Sequence, residues 1–386
     1  MGVCKKYLSN VYIRRSLFFL LALAAAISAA RGISNALQGS KDFQWSPTVL
    51  LLEGENPYKV HLDGDPNESI IKTQAPNYAH AIYIVLAPFG MMDWETAKIT
   101  WAILNVLIGV LTAIMLAMAF ELSSKQSVFV LLIFLASTPF RNGVGNGQHG
   151  LLMLFAFTAM VQSSRYWSSL AAGCGYFKYS FAPPFAAYLL FKRGSKHLLT
   201  SLLPGVLGFA LFWSIAGGSF WETLIYPLSV SSSAVGAGKA DLMTITEAMT
   251  QQGSWSYLFG YYGLPIVFTV LGSYFAAYYI KSFNISFSFI CVLSLLLFKH
   301  LSYDFVFLLP SFCIAVRYLE RKASKYILAI ILFAWFGWKL IYEIGSRIES
   351  IEWILVLRSP YLSFLLMIGL TIALPFLEKD VDSSEG

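Results

Sequence analysis

Four short stretches place ionisable or hydrogen-bonding groups where the surrounding chain is apolar. The first, SKDFQWSPTVLLLEGENPY, puts Asp42 just past the first hydrophobic segment, ahead of Trp45 and a polar Gly-Glu-Asn-Pro-Tyr turn ending at Tyr58. A carboxylate half-buried among aromatics has its pKa raised toward working pH, which suits a general base acting on a hydroxyl. The second, STPFRNGVGNGQHG, sets Arg141 ahead of three glycines (Gly143, Gly145, Gly147) and then the Gln148-His149 pair. Glycine lets backbone approach a ligand closely, and arginine offers a planar fork to phosphate. The third, GYFKYSFAPP, holds Lys178 between aromatic and apolar neighbours, so that lysine has to face a carboxylate, a phosphate or the membrane interface. The fourth, KHLSYDF, gathers Lys299, His300, Tyr303 and Asp304. His300 and Asp304 are four apart and share a helix face if the helix begins early.

Each stretch also has a structural reading. Asp42 suits a helix cap or an ion pair with Lys41, Arg141 an ordinary loop, Lys178 a snorkelling side chain, KHLSYDF a polar hairpin closure, and Trp45 and Tyr58 membrane-belt anchors.

The elements that would position these groups are membrane helices. Of 386 residues, 57% are hydrophobic and only 12% charged, against roughly a quarter charged in soluble chains. An integral membrane protein follows. The net charge of +6 reads as cytoplasmic-loop lysine and arginine and does not call for a nucleic-acid partner. Cys174, Cys291 and Cys313 lie in apolar runs without metal-ligand spacing, and no histidine cluster marks a metal site.

The first apolar run is too long for a signal peptide and reads as an uncleaved span. Lys5, Lys6, Arg14 and Arg15 before it place the N-terminus in the cytoplasm and Asp42 on the outer face. Further apolar segments give about eleven to thirteen spans in one membrane domain, several of them shorter than the ~20 residues of a straight crossing. The longest polar connections, 39–74 and 218–254, fall on the outer face, and 378–386 is a solvated cytoplasmic tail.

Two topologies place the basic cluster Lys192, Arg193 and Lys196 in the cytoplasm. In one, 75–90 spans and 166–191 is a single long helix, which leaves GNGQHG cytoplasmic. In the other, 75–90 is re-entrant and 166–191 breaks at FKYSFAPP, which moves GNGQHG and Lys178 outside. Pro183 and Pro184 favour the break, since each lacks an amide proton and clashes with the preceding turn.

Taken in order, the motifs resemble a known family. They are an acid after the first span, G-x-N-P-Y (Gly54, Asn56, Pro57, Tyr58), Ala87-Pro88-Phe89-Gly90, Asn146-Gly147-Gln148, Lys178 followed by a proline-containing apolar run, and a late Ser-Tyr-Asp. This set is similar to the polyprenol-phosphate-mannose-dependent mannosyltransferases of glycosyltransferase family 87, in the GT-C superfamily. The resemblance implies an all-α polytopic GT-C fold with outer-face loops over a lipid-accessible cavity. It also implies inverting transfer of a hexose, mannose by family precedent, from a polyprenyl-phosphate donor to a hydroxyl of an envelope glycolipid or polysaccharide at the cell membrane.

On this reading Asp42 is the expected base. Lys178, Arg141 and His300 are expected at the donor phosphate, and Trp45, Tyr58, Gln148, His149, Tyr303 and Asp304 at the sugar and acceptor. No metal or cofactor is expected, because a polyprenyl phosphate is already a competent leaving group. A flippase of lipid-linked sugars would more usually show internal repeats, and no repeat of fixed period is visible. A non-catalytic component of polysaccharide assembly is the remaining alternative.

Overall fold

A computed structural model describes residues 11–39, 43–70, 75–233, 241–251, 253–337 and 360–385, and "the described residues" below means these. They form helices and connecting turns without a strand.

The first helix, α1 (Val11–Gly39), turns Leu20, Leu23 and Ile27 outward and buries the small residues Ala25, Ser28, Gly32 and Ala36 at helical spacing. Small residues on the inner face let neighbouring helices approach closely. Short helices α2 (Trp45–Leu52), α3 (Pro57–Leu62) and α4 (Ala81–Gly90) follow, then the long α5 (Trp94–Ala119). Asp93 caps α5 by accepting from the Thr96 amide.

A capping box at Ser123 and Gln126 starts α6 (Ser124–Ala136), and α7 (Thr138–Gly145) leaves it at 55°. The cause of that bend is local. Ser137 adopts an extended backbone, its hydroxyl caps α7, and Pro139 sits in the first turn of α7, where its missing amide proton costs nothing.

The chain continues through α8 (Gly150–Gln162), α9 (Tyr166–Gly173) and a 3-10 turn (Cys174–Phe177), then breaks before α10 (Ala182–Arg193) and α11 (Ser195–Ala216). Beyond these lie α12 (Phe220–Ser233), α13 (Leu242–Met249), α14 (Trp255–Leu258), α15 (Leu264–Tyr278), α16 (Phe283–Leu297), a 3-10 turn (Ser302–Leu308), α17 (Leu309–Arg317), α18 (Lys322–Leu332) and α19 (Pro360–Glu385).

Hydrogen bonds between distant segments define two ends of this bundle. At one end Arg317 pairs with Glu121 at 2.7 Å and donates to the Phe120 carbonyl. Arg193 reaches the Met160 carbonyl at 2.6 Å, and Lys192 reaches Ala277 at 2.9 Å. The Ser282 amide meets Glu378 at 2.6 Å. We call this the basic end. At the other end the Ala79 amide donates to Phe177 and the Trp101 indole to Gly147. Lys178 meets Asp304 there too.

The break between Phe177 and Ala182 therefore returns the chain to the basic end at Lys192 and leaves GNGQHG at the opposite one. Helix α4 enters beside Phe177 and leaves beside Trp45, which donates to the Phe89 and Met92 carbonyls, so it begins and finishes at that same opposite end. The break at FKYSFAPP and the return of α4 to the end where it enters are the two chain features of the second arrangement.

Among the described residues, four helices are long and apolar enough to cross a membrane, or five if the bent α6–α7 pair is one span. The other apolar segments are shorter helices of 10–17 residues, among them α4, α8 and α16. Where α4 begins it lies against α11 so closely that a Cβ on Gly208 would sit 2.2 Å from the Ala81 Cβ, and glycine alone allows that approach. Beneath the opposite end the core is aromatic. Phe157 stacks on Phe185 with centroids 3.7 Å apart, and Phe181 on Phe307 at 4.3 Å.

Candidate functional site

Lys178 is the first residue after the 3-10 turn that ends α9, and the helix break points its ammonium into the protein. Its Nζ donates to Asp304 Oδ1 at 2.5 Å, with the side chains 14% and 1% exposed. The ammonium also lies 4.8 Å from the Phe181 ring and 5.4 Å from the Tyr303 ring.

Asp304 is held by its own 3-10 turn, where Oδ2 accepts from the Leu301 amide at 3.0 Å. Its Oδ1 rests against the first residue of α8, since a Cβ on Gly150 would lie only 3.0 Å away. A carboxylate against a helix N-terminus is electrostatically favoured, which adds to the lysine's attraction.

The same α8 terminus carries Gln148 and His149. His149 is fully buried between Tyr78 and Trp101, with ring centroids at 4.8 and 4.9 Å, and neither ring nitrogen has a hydrogen-bond partner among the described residues. Burial, and after it the nearby Lys178 ammonium, pushes the imidazole down to about 3. The ring is therefore neutral at physiological pH, with one nitrogen able to donate and the other to accept. Gln148 accepts from the Tyr78 hydroxyl at 3.4 Å. A salt-bridged lysine, a neutral histidine and an amide thus share one buried corner. Such a set can bind an anion with the remaining ammonium protons and sugar hydroxyls with the neutral groups.

A second buried cluster covers the neighbouring segment. Asp241 caps α13 through the Thr244 amide and hydroxyl, and its Oδ2 lies 3.7 Å from His300 Nδ1. Glu247 on the same helix pairs with Lys299 at 2.8 Å. The 241–249 part of the long polar connection is thereby clamped onto KHLSYDF.

The structure brings Lys178, Asp304, Tyr303, Gln148 and His149 together. His300 turns away from Asp304, because the chain is extended at Leu301 before the 3-10 turn begins, and its ring meets Asp241. Arg141 is half-buried on α7 and donates to Thr138 Oγ1 at 3.3 Å. The Trp45 indole is engaged with the end of α4, and the fully buried Tyr58 donates to the Tyr78 carbonyl at 2.6 Å. Both therefore sit in the packing around α4.

Asp42 lies outside the described residues. The residue after it, Phe43, has a positive φ of 40° and stacks on Trp101 with centroids 5.1 Å apart. Sequence reasoning missed Tyr78, Trp101 and Asp241. Trp101 and Asp241 carry no local signal, whereas Tyr78 sits in QAPNYAH, a polar string before a short apolar segment, where a buried tyrosine has reason to seek a polar partner.

The model of glycosyltransferase family 87 matches residues 78–299, more than half of the chain and a span that includes Tyr78, Gln148, His149, Lys178 and Asp241. No curated protein and no solved structure matches.

Proposed function

The chain belongs to glycosyltransferase family 87 and is a membrane glycosyltransferase, and on that premise we propose that it transfers a hexose, mannose first among candidates, from a polyprenyl-phosphate donor to a hydroxyl of an envelope glycolipid or polysaccharide. The observation that carries this reading is the buried Lys178–Asp304 pair beside the unpartnered His149 ring, at the end of the bundle away from Lys192, Arg193 and Arg317.

Basic residues concentrate in the cytoplasm, so that end faces outward, with both termini inside and the chain in the cell membrane. Asp42 takes the proton from the acceptor hydroxyl, and the acceptor oxygen attacks the anomeric carbon from the face opposite the leaving group. The bond from that carbon to the phosphate oxygen breaks, releasing polyprenyl phosphate with the electron pair. Lys178 keeps one proton on Asp304 and has two more for the departing phosphate, an interaction made in full only as charge develops. Arg141 and His300 are the further candidates at the phosphate. Gln148, His149, Tyr303 and Asp304 are those for sugar and acceptor, with Trp45 and Tyr58 supporting them through the packing around α4.

One experiment tests donor and orientation together. A water-soluble short-chain polyprenyl-phosphate mannose is added outside sealed vesicles that hold the purified chain and a glycolipid acceptor in both leaflets, with the orientation of each preparation fixed by protease mapping. Right-side-out vesicles are expected to consume it, and inverted vesicles only after permeabilisation. Consumption of nucleotide-linked mannose instead, or transfer confined to the inverted preparation, would overturn the proposal.

A further inference from the structure

We propose that Arg31 and Arg141 form a clamp for the phosphate of a polyprenyl-phosphate lipid that reaches the site from the bilayer along the seam of α1 and α7. The inference rests on the donor class proposed above and adds a residue, a location and a route.

Arg31 is exposed on α1, eight residues before Gly39 and so about 12 Å from the helix end at 1.5 Å per residue. It lies within the stretch Arg15–Gly39 that is apolar enough to span a membrane. Arg141 is half-buried on α7, and the Arg31 charge acts on it. The two helices touch at this level. A Cβ on Gly32 would lie 3.3 Å from the Arg141 carbonyl oxygen, and one on Gly145 would lie 3.0 Å from the Asn35 Cβ.

Among the described residues neither guanidinium meets a carboxylate, and the Arg141 side chain bonds only Thr138. Two neighbouring like charges at membrane depth are costly unless an anion joins them, and the guanidinium fork matches phosphate.

The face of α1 that carries Arg31 changes character there. Leu20, Leu23 and Ile27 are exposed on the preceding turns, whereas Arg31, Ser34, Asn35 and Gln38 continue that face toward Gly39, all exposed. The spacing i, i+3, i+4, i+7 makes one stripe. An apolar face that turns polar partway along a span fits a lipid whose tail lies against leucine and whose head is hydrophilic. The position argues for a lipid-borne phosphate over a free one.

Two features favour a sugar-bearing polyprenyl phosphate over a bilayer phospholipid. The stripe offers hydroxyl and amide groups, suited to sugar hydroxyls, up to the end of α1 at Gly39. Helix α7 packs on the turn carrying Asp304 and runs directly into Gln148 and His149.

The test measures binding of sugar-free polyprenyl phosphate to the full chain in phosphatidylcholine nanodiscs, together with the donor KM and kcat. Arg31→Gln and Arg141→Gln should each weaken binding about tenfold and raise the donor KM in proportion. Arg31→Lys should recover only part of the loss, because it restores the charge without the fork. A tenfold excess of phosphatidylglycerol should not displace the probe from the parent.

If Arg31→Gln binds polyprenyl phosphate as the parent does, the clamp is wrong while the donor class stands. If phosphatidylglycerol displaces the probe freely, the pair is a general anionic-lipid site and the proposal falls. If the parent itself does not bind polyprenyl phosphate, the donor reading fails and the clamp fails with it. Arg31 is exposed, so its variants are expected to unfold at the parental temperature, which separates lost binding from lost folding.

Discussion

Asp42→Asn is expected to lower turnover about 10²- to 10⁴-fold, the range associated with losing a positioned general base, while leaving donor affinity close to the parental value. Asparagine keeps the size and polarity of the side chain and removes only the basic oxygen. The acid is the first carboxylate after α1 and immediately precedes Phe43, which stacks on Trp101, itself packed on His149. In the proposed reaction it is the group that would accept a proton from the incoming hydroxyl. A steady-state assay with saturating donor, beside a donor-binding titration, separates the two effects. Parental turnover in Asp42→Asn would remove the base assignment and turn the search to another carboxylate.

The Lys178–Asp304 pair carries the second large expectation, and it concerns stability as well as function. Breaking a buried pair by removing one partner leaves an uncompensated charge, at a cost of about 3–5 kcal/mol. Lys178→Met and Asp304→Leu should each therefore lower the thermal unfolding temperature in detergent markedly. The double replacement puts two apolar side chains in the same space and should recover most of that loss. Turnover should not recover with it. Lys178→Met is further expected to weaken donor binding about 10- to 100-fold, since a charge-assisted contact contributes about 1.5–3 kcal/mol. A double variant that regains both stability and parental turnover would show the pair to be a packing device alone.

The sequence carried the large features of the fold for physical reasons that can be traced to particular residues. Membrane character followed from the charge deficit, and the break near Lys178 from two consecutive prolines. Lys178 was legible as a cation in need of a counter-charge, because an isolated ammonium at that depth is expensive. Which counter-charge it takes was not legible. Asp304 lies 126 positions away, and no local pattern ties two residues brought together by the packing of a 3-10 turn onto a helix terminus.

His300 shows the opposite case. Its spacing from Asp304 matched a shared helix face, but the helix does not begin early enough, and the ring belongs to a cluster with Asp241 from a distant polar connection. Trp45 and Tyr58 stood out as aromatics in a polar turn, yet their polar tips are used within the protein, against α4 and the Tyr78 carbonyl. The two orphan nitrogens of His149 depend on how Tyr78 and Trp101 close around it, and this only the assembled fold displays.

Direct, single-step transfer from a lipid phosphate inverts the anomeric carbon, so the configuration of the product distinguishes it from two-step and front-face routes. Purified chain is incubated with polyprenyl-phosphate mannose of known anomeric configuration, carrying ¹³C at the anomeric carbon, and with a glycolipid acceptor. The one-bond carbon–proton coupling of the new linkage is then read by NMR. The parent is expected to form a glycoside of the opposite anomeric configuration to the donor, and Asp42→Asn to form much less of it. A product that retains the donor's configuration would contradict direct inverting transfer, because retention requires either a covalent glycosyl-enzyme or a front-face departure in which Asp42 does not serve as the base for the acceptor.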